Sequence, residues 1–380
     1  MKRNPLTKKE SKIKIALLTA GRSDYSIYLP LIKKIFSEKY FDLHIIAFGS
    51  HPYEEFGRTI DFIENDGFKA SYIVKALESD FTSKSIAISM GNTIKEFAHI
   101  YEKESYELIF ALGDRFEMFA AVSASVPFNI QVAHLHGGES TLGAIDDKFR
   151  HAITLISKYH FTSTENHAKK VTSLIGSDEF VYNVGALALD NIKDMQLLSI
   201  DELKKELEID FTKPTLLATI HPETININAN YRLVKEFIKA VELSEYQTLI
   251  TLPNNDTTNE FLRRELIKFS ETNKNVFVFD ALGPLKYYSC MKHCYAVIGN
   301  SSSGIIEAAS FGKYVINIGD RQKGRDRGGN IIDTPIDATA IKKKIEQIKE
   351  MPELNKKNIY GEGNTSDKII SILKSNFLLD

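Results

Sequence analysis

The 380-residue chain has little net charge, few cysteines and no long apolar run, and each shortage excludes a class of protein. Its 48 basic and 50 acidic residues leave a formal charge of −2, so no overall electrostatic drive toward nucleic acid or a membrane surface follows. No apolar stretch approaches the roughly 20 residues that cross a bilayer. Two cysteines, Cys290 and Cys294, argue against a disulfide framework and suit a reducing compartment.

The two cysteines flank His293 in the segment CMKHC, which could supply part of a zinc site. A structural zinc site normally needs a second ligand pair, and the sequence shows none at a suitable spacing. We therefore interpret both thiols as buried helix residues and expect no bound metal.

The amino-terminal segment, residues 1–12, is basic but lacks the apolar core of a signal peptide. We interpret it as a solvated tail that precedes the first strand. Together with the cysteine content, this predicts a cytoplasmic protein.

Short apolar strands alternate with periodic helices in two successive rounds along the chain. Such alternation is typical of a doubly wound parallel sheet with helices on both faces. The first round ends near Gly185, and the second begins at Thr215 after a charged connector. We predict two Rossmann-like α/β domains, residues 13–190 and 191–365, with a cleft between them as in GT-B glycosyltransferases. A last helix, residues 366–380, is expected to pack back toward the first domain.

The richest chemistry lies between Gly113 and His151. One apolar run ends in Gly113-Asp114-Arg115, the next ends in the segment HGGE, and a pair of aspartates follows. Because parallel strands deliver the residues after them to one sheet edge, an acid/base site for a small polar substrate is expected here. The candidates for proton transfer are Asp114, His136, Glu139 and Asp146, with His51 and His134 as reserves. Alternatively, some of the acids simply pair with Arg115 and Arg150.

A second polar segment, GNSSSGIIE at residues 299–307, lies between an apolar strand and an apolar helix. Backbone N–H groups at a helix start, with hydroxyls beside them, can bind phosphate, and Ser301 and Ser302 are the candidates. A plain helix cap is the alternative interpretation. Glu307 lies about one turn later and could form hydrogen bonds to a ribose diol. Arg321 follows the next strand and could bind the same phosphates.

Further polar residues follow other strands and are candidates for binding the substrate or its nucleotide. Those of the second half are His221 and Asn254, and those of the first half are Arg22, Asp24, Ser26 and His51. The first strand meets its helix at Arg22 to Ser26, which favours an anion there.

Several of these segments together resemble one known family. They are GDRFE (113–117), HLHGGE (134–139), AIDDKFRHAIT (144–154), GNSSSGIIEA (299–308) and NIGDRQKGR (317–325). In this order and spacing they are similar to the hydrolysing UDP-N-acetylglucosamine 2-epimerases, and the resemblance runs from about Ile13 to Leu379. That family makes N-acetylmannosamine for sialic acid, and close relatives act on diacetylbacillosamine nucleotides for legionaminic acid. Non-hydrolysing relatives typically carry HVEAGLRT in place of HLHGGE, which argues against that branch.

The resemblance implies roles for individual residues. Asp114 and Asp146 match catalytic carboxylates. The positions that match nucleotide-binding residues are Arg22, Ser26, Arg115, His221, Asn254, Ser301, Ser302, Glu307 and Arg321. The implied reaction is anti elimination of UDP to a 2-acetamidoglucal, followed by syn addition of water with inversion at C2, without a metal or redox cofactor. Some members have a catalytic glutamate where this chain has His136, so either His136 or Glu139 would transfer the proton here.

The leading hypothesis from the sequence is therefore a hydrolysing epimerase of UDP-N-acetylglucosamine, expected from the family to form a homo-oligomer. The alternatives are the same chemistry on UDP- or GDP-linked diacetylbacillosamine, a non-hydrolysing epimerase, a GT-B glycosyltransferase and a nucleotide-sugar-binding regulator without catalysis. No nucleic acid or membrane partner is expected.

Overall fold

The apolar runs of the sequence form two parallel β-sheets, one in each of two domains. A computed structural model of the chain describes residues 12–80, 82–140, 145–193, 195–222, 227–253 and 260–378. The described residues up to Asn191, together with those from Gly363 onward, form the first domain, and Ile192–Glu362 form the second. The predicted pair of parallel-sheet α/β domains is thereby confirmed.

The first domain is built on a seven-stranded sheet in which every pairing is parallel. Its strands are β1 (Ile13–Thr19), β2 (Phe41–Ala47), β3 (Ala70–Ile73), β4 (Leu108–Leu112), β5 (Gln131–Leu135), β6 (Tyr159–Thr162) and β7 (Val181–Asn183). Their order in the sheet is β3-β2-β1-β4-β5-β6-β7. The helices up to the domain boundary are α1 (Arg22–Ser37), α2 (Ile60–Asn65), α3 (Ser83–Lys103), α4 (Phe116–Ser125), α5 (Asp146–Ile156), α6 (Glu165–Ile175) and α7 (Asp190–Lys193).

The second domain has a six-stranded parallel sheet with the same winding. Its strands are β8 (Thr215–Thr219), β9 (Gln247–Thr251), β10 (Val276–Phe279), β11 (Ala296–Gly299), β12 (Val315–Ile318) and β13 (Ile331–Thr334), in the order β10-β9-β8-β11-β12-β13. Its helices are α8 (Ile200–Leu207), α9 (Ile227–Ser244), α10 (Glu260–Thr272), α11 (Gly283–His293), α12 (Ser302–Ile306) and α13 (Ala338–Gln347). The last helix of the chain, α14 (Thr365–Leu378), belongs to the first domain.

Burial on both faces of each sheet explains why the strands are almost continuously apolar. In β1, Ile15 and Leu17 pack into one hydrophobic cluster of the first domain, while Ala16 and Leu18 pack into the other. In β8, Leu216 and Leu217 divide in the same way between the two clusters of the second domain. Full burial of one such side chain stabilises a fold by about 1.5–3 kcal/mol. The central strands are therefore the rigid part from which polar loops project.

The strand order reverses between β1 and β4 in the first domain and between β8 and β11 in the second. At such a switch point the connections leave toward opposite faces of the sheet, which opens a crevice at the carboxyl ends of the strands. The segments that the sequence analysis singled out as polar strand ends therefore follow strands at or beside the two switch points.

Two edge strands and one helix differ from the sequence prediction. The short strands β3 and β13 were not expected, because their exposed and half-buried positions weaken the apolar pattern. The helix predicted over residues 303–311 ends at Ile306, and a 3₁₀ turn at Ala308–Phe311 follows it. Among the described residues, no helix is long and apolar enough to cross a membrane.

Asp190 anchors the C-terminal helix to the first domain. Its buried carboxylate accepts hydrogen bonds from the backbone N–H groups of Thr365 (2.9 Å) and Ser366 (2.7 Å) at the start of α14, and from the Ser366 hydroxyl (2.6 Å). Farther along the helix, Ile369 and Leu373 are fully buried in a cluster of the first domain. One carboxylate thus satisfies the open donors of the helix terminus and complements its dipole.

We expect Asp190→Ala to lower the free energy of unfolding by about 3 kcal/mol, because it leaves buried donors without an acceptor. Urea unfolding measures this loss. Asp367→Ala is the matched control, since Asp367 lies on the same helix and its side chain forms an exposed ion pair with Lys34, and such a pair contributes at most about 1 kcal/mol. Equal losses in the two variants would contradict the anchoring role.

Candidate active site

Arg150 connects the polar strand ends of the first domain. Its side chain on α5 is only 4% exposed, and its guanidinium forms an ion pair with Asp114, which follows β4. The same guanidinium donates a hydrogen bond to the backbone carbonyl of His136 after β5 (2.8 Å). One buried cation thus fixes two predicted catalytic residues from neighbouring strands. The sequence analysis named Arg150 only as a possible partner of an acid.

Asp114 and Asp146 belong to one electrostatic cluster. Asp146 is the first residue of α5, one turn before Arg150. Burial and then the nearby Asp114 carboxylate raise the pKa of Asp146 above its usual range, while Arg115 and Arg150 oppose the shift. The direction of this shift makes the Asp146 carboxyl group easier to protonate than an exposed aspartate. A carboxyl group of this kind can serve in acid/base chemistry.

Arg115 lies in the same cluster and is held by Glu117. Its guanidinium donates two hydrogen bonds to the fully buried Glu117 carboxylate, from Nη2 to Oε1 (2.7 Å) and from Nε to Oε2 (3.3 Å). A two-point contact of this kind fixes the plane of the guanidinium. The predicted role of Arg115 in nucleotide binding is not tested by this geometry and stays a prediction.

The predicted anion-binding segment after β1 has a buried acid at its centre. Asp24 accepts a hydrogen bond from the backbone N–H of Ala20 (3.1 Å), and burial raises its pKa to about 6, with Arg115 acting in the opposite direction. Arg22 and Ser26 are exposed on the first turns of α1. The Arg22 guanidinium lies over the ring of Phe62, 4.6 Å from its centroid.

His51 is a structural residue, and its proposed role in substrate binding is corrected. Its side chain is fully buried. Its two ring nitrogens are hydrogen-bonded to threonine hydroxyls, Nε2 to Thr19 (2.9 Å) and Nδ1 to Thr59 (2.9 Å). No ring nitrogen is left for a ligand. Burial lowers the pKa of His51 to about 4, so the ring is neutral at pH 7.

His134, the other reserve for proton transfer, is likewise enclosed. Its Nε2 is 2.8 Å from the carbonyl oxygen of Gly113 and its Nδ1 is 3.0 Å from the Thr154 hydroxyl. Burial lowers its pKa to about 3. It therefore supports the backbone just before Asp114 and does not transfer protons itself.

His136 has an unusual backbone and a carboxylate partner. Its φ of 63° lies in the left-handed region, which non-glycine residues adopt mainly where the surrounding structure imposes it. Its Nδ1 is 2.7 Å from Oε1 of Glu139. Glu139 also accepts a hydrogen bond from the Ser163 hydroxyl (2.9 Å), which in turn lies 2.9 Å from Nδ1 of His167. Ser163 and His167 were missed because they follow the next strand, β6, where the sequence shows only an ordinary helix start.

In the second domain, Asn300 joins the ends of three strands. Its side chain bonds the backbone of His221 after β8, accepting from the N–H (2.7 Å) and donating to the carbonyl (2.8 Å). Its own carbonyl accepts from Arg321 Nη1 (3.0 Å) and Gln322 Nε2 (2.8 Å) after β12. The preceding Gly299 has a φ of 132°, and a Cβ there would clash with the Thr219 carbonyl, so only glycine fits.

The binding candidates of the second domain surround this junction. Burial, with Arg321 nearby, lowers the pKa of His221 to about 4. Ser301 caps α12 by accepting from the N–H of Ser303 (3.4 Å), and the Ser303 hydroxyl is 2.5 Å from that of Tyr287. Ser302 is the first residue of α12, and Asn254 lies outside the described residues.

Glu307 is a buried acid beside this junction. Burial raises its pKa to about 8, and Arg325 opposes the shift. Within the described part of the chain, no hydrogen-bond partner reaches its buried Oε2. At pH 7 the side chain is therefore mainly a neutral carboxylic acid, which can both donate to and accept from a hydroxyl group.

The folds of known enzymes match this architecture. The crystal structure of UDP-GlcNAc 2-epimerase from Neisseria meningitidis bound to UDP-GlcNAc has a TM-score of 0.81 to this chain at 17% identity, with 96% of this chain and 100% of that one covered. The chain thus shares the fold of that structure.

The chain belongs to the UDP-N-acetylglucosamine 2-epimerase family, which matches residues 33–374. It is 38% identical over 328 residues to the GDP/UDP-N,N'-diacetylbacillosamine 2-epimerase (hydrolyzing) of Campylobacter jejuni, covering 86% of this chain and 85% of the relative. It is 32% identical over 362 residues to the UDP-N,N'-diacetylbacillosamine 2-epimerase (hydrolyzing) of Legionella pneumophila, covering 95% and 96%. The family resemblance inferred from the motifs is confirmed.

The structural role of His51 predicts how acid affects stability. A free histidine titrates near pH 6.5, whereas folded His51 stays neutral down to about pH 4. Below pH 6.5 the unfolded chain therefore binds a proton that the folded chain does not, and the wild type loses stability as the pH falls. His51→Gln lacks this loss.

We expect the stability advantage of the wild type over His51→Gln to shrink by roughly 2 kcal/mol between pH 7 and pH 5. Urea unfolding of both proteins at the two pH values measures this change. At each pH the wild type is compared with the variant, so the effects of all other titrating groups, which the two proteins share, cancel. An advantage that does not change with pH would contradict a buried neutral imidazole.

Proposed function

We propose that the protein is a hydrolysing 2-epimerase that converts a UDP-linked 2-acetamido sugar and water into UDP and the free sugar with inverted C2. Membership of the family and the hydrolysing activity named for both relatives support this. The observation that carries the proposal is the cluster in which Arg150 holds Asp114 and His136 close to the protonatable Asp146. Carboxyl and imidazole groups are common general acids and bases, so this cluster supports the proposal.

The sugar we propose is N,N'-diacetylbacillosamine, with N-acetylglucosamine as the second candidate. From the sequence alone, N-acetylglucosamine was the first candidate and the diacetylated sugar the alternative. The two relatives described above are named for the diacetylated sugar, whereas a third, 32% identical over 336 residues, is named polysialic acid biosynthesis protein P7 of Escherichia coli. The second candidate rests on the family description and on the more distant Neisseria enzyme. For the nucleotide we propose UDP, which both relatives' names include.

The chemistry demands proton transfer on two faces of the sugar ring. In the elimination, a base removes the C2 proton, the electrons of the C2–H bond form the C1=C2 double bond, and UDP leaves with the electrons of the C1–O bond. In the hydration, water adds its oxygen to C1 while C2 receives a proton on the face opposite to the one it lost. Inversion therefore favours two separate proton-transferring groups. We assign Asp146, whose pKa is raised by burial and by the nearby Asp114 carboxylate, to one face.

We assign nucleotide binding to the second domain. Ser301, Ser302 and Arg321 would hold the diphosphate with hydroxyl, backbone and guanidinium donors. Glu307 would bond the ribose hydroxyls. Because its raised pKa keeps it mainly neutral at pH 7, it would do so without repelling the diphosphate.

Product analysis in heavy water tests the proposed reaction. With UDP-N,N'-diacetylbacillosamine in D₂O, we expect free UDP and a free sugar that is inverted at C2 and carries one deuterium there. UDP- and GDP-linked N-acetylglucosamine and the GDP-linked diacetylated sugar, tested in parallel, rank the substrates. Mass spectrometry and NMR of the products provide the measurement.

Each other outcome corresponds to a rival function. Release of UDP without deuterium at C2 would indicate a glycosyltransferase or simple hydrolase. A C2-inverted product that is still UDP-linked would indicate a non-hydrolysing epimerase. Binding of UDP without turnover of any of the four substrates would indicate a regulator.

Glu307 gives a pH-dependent prediction for nucleotide binding. As the pH rises through about 8, the wild-type carboxyl group ionises, and we expect the Kd for UDP to increase because the new charge lies near the diphosphate. Glu307→Gln keeps the shape and the neutrality, so its Kd should match the wild type at pH 7 and stay constant toward pH 9. Calorimetric titration from pH 6.5 to 9.5 measures both. Parallel pH profiles would show that Glu307 does not contact the nucleotide.

A further inference from the structure

Four side chains form a continuous chain of hydrogen bonds behind the loop that follows β5: His136, Glu139, Ser163 and His167. The last three are nearly fully buried, and the His136 side chain is 12% exposed. The chain runs from the predicted proton-transfer region to the first turn of α6. The inference drawn from it rests on the proposed function.

The direction of each hydrogen bond follows from the donors available. Ser163 has one hydroxyl proton and donates it to Oε1 of Glu139 (2.9 Å). The Ser163 oxygen must then accept from Nδ1–H of His167, 2.9 Å away. A carboxylate oxygen only accepts, so His136 carries its proton on Nδ1 and donates it to the same Oε1 (2.7 Å). With Glu139 as a carboxylate, both donors thus converge on the same oxygen.

The backbone holds this chain in place from both ends. His136 donates its N–H to the carbonyl of Phe161 on β6 (3.1 Å), and its own carbonyl accepts from Arg150 (2.8 Å). Gly138 has a φ of 78°, and a Cβ there would clash with the carbonyl oxygen of His167. The glycine therefore lets the loop lie directly against α6, which brings Glu139 within reach of Ser163.

The second ring nitrogen of His136 is the reactive end of the chain. When Nδ1 carries the proton, Nε2 carries a lone pair. Nε2 is buried and has no hydrogen-bond partner among the residues that the structure describes. The surrounding groups thus hold the ring in one orientation, and none of the described residues takes up the lone pair of this nitrogen.

We propose that Glu139, Ser163 and His167 are positioning residues that hold His136 as the Nδ1–H tautomer, and that Nε2 of His136 removes the proton from C2 of the sugar. In that step the C2–H bond breaks, the proton passes to Nε2, and its electron pair forms the C1=C2 bond as UDP leaves with the C1–O pair. The positive charge that develops on the imidazole is offset by Glu139. A carboxylate that orients a histidine base is the arrangement of catalytic triads.

Oε1 of Glu139 is poorly placed to be the base. Its Oε1 already accepts hydrogen bonds from both His136 and Ser163. Abstraction of a carbon-bound proton by this oxygen would require both bonds to break. The geometry thus assigns the two candidates left open by the sequence different tasks.

Steady-state kinetics on the nucleotide sugar that the wild type turns over tests the proposal. His136→Asn should lower kcat by about 10²–10⁴-fold, the usual contribution of a general base. Glu139→Gln should lower kcat by a factor in the same range or by a smaller one. Ser163→Ala should lower kcat about tenfold, as expected for the loss of one hydrogen bond to a charged group. KM should stay close to the wild-type value in all three. Ser163→Thr, which restores a hydroxyl, should recover most of the lost rate.

The isotope effect on kcat, measured with substrate deuterated at C2, distinguishes a variant that removes the proton more slowly from one that merely contains less folded enzyme. If Ser163→Ala slows proton removal, its isotope effect should be larger than that of the wild type. A variant that only has less folded enzyme loses rate without any change in the isotope effect. Ser125→Ala is the matched control, because Ser125 is fully buried in the same domain and bonds only the carbonyl of Val122 in the described contacts (2.7 Å).

The tautomer of His136 gives a readout that does not depend on turnover. Long-range ¹⁵N NMR of the histidine-labelled protein should show Nδ1–H for His136, with the signal assigned by its loss in His136→Asn. An Nε2–H tautomer in the wild type would overturn the proposal whatever the protein turns over. So would full activity of His136→Asn, or a Ser163→Ala variant that loses no rate. An Nδ1–H tautomer in a protein that turns over no nucleotide sugar would support the positioning chain while refuting the proposed function.

Discussion

The ion pair between Arg150 and Asp114 is the interaction on which the first domain's polar edge depends. A buried guanidinium without its carboxylate would cost about 3–5 kcal/mol, so neither partner can be lost alone. Because the same guanidinium also binds the backbone of His136, the loops after β4 and β5 and the start of α5 form a single unit. The polar side chains of this edge are thereby held in one arrangement.

In both domains one polar residue joins the ends of neighbouring strands, but the chemical type of that residue differs. In each, the carboxyl ends of central strands converge at a switch point, and one polar residue joins them. In the first domain that residue is a cation, Arg150, surrounded by acids. In the second it is the neutral amide of Asn300, which bonds the backbone of His221. A charged junction suits proton transfer, whereas a neutral junction leaves the neighbouring arginine and serine side chains to meet a ligand.

The sequence predicted the parts of this molecule that depend on local pattern. Continuous apolar runs identified the central strands. Glycine and polar residues directly after these runs identified the segments around Asp114, His136 and Asn300 as the ends of strands. It could not reveal pairings between side chains far apart in the chain. His51 lies after a strand like the other candidate site residues, but both of its ring nitrogens are hydrogen-bonded to threonine hydroxyls. Ser163 gains its importance only because Gly138 lets another loop approach it.

The anchoring of α14 by Asp190 makes the second domain an insertion within the first. The first domain lacks a helix that buries part of its core until residues after Gly363 have been synthesised. During translation, the second domain can therefore complete its own core before the first does. The order of folding would run opposite to the order of the strands in the chain.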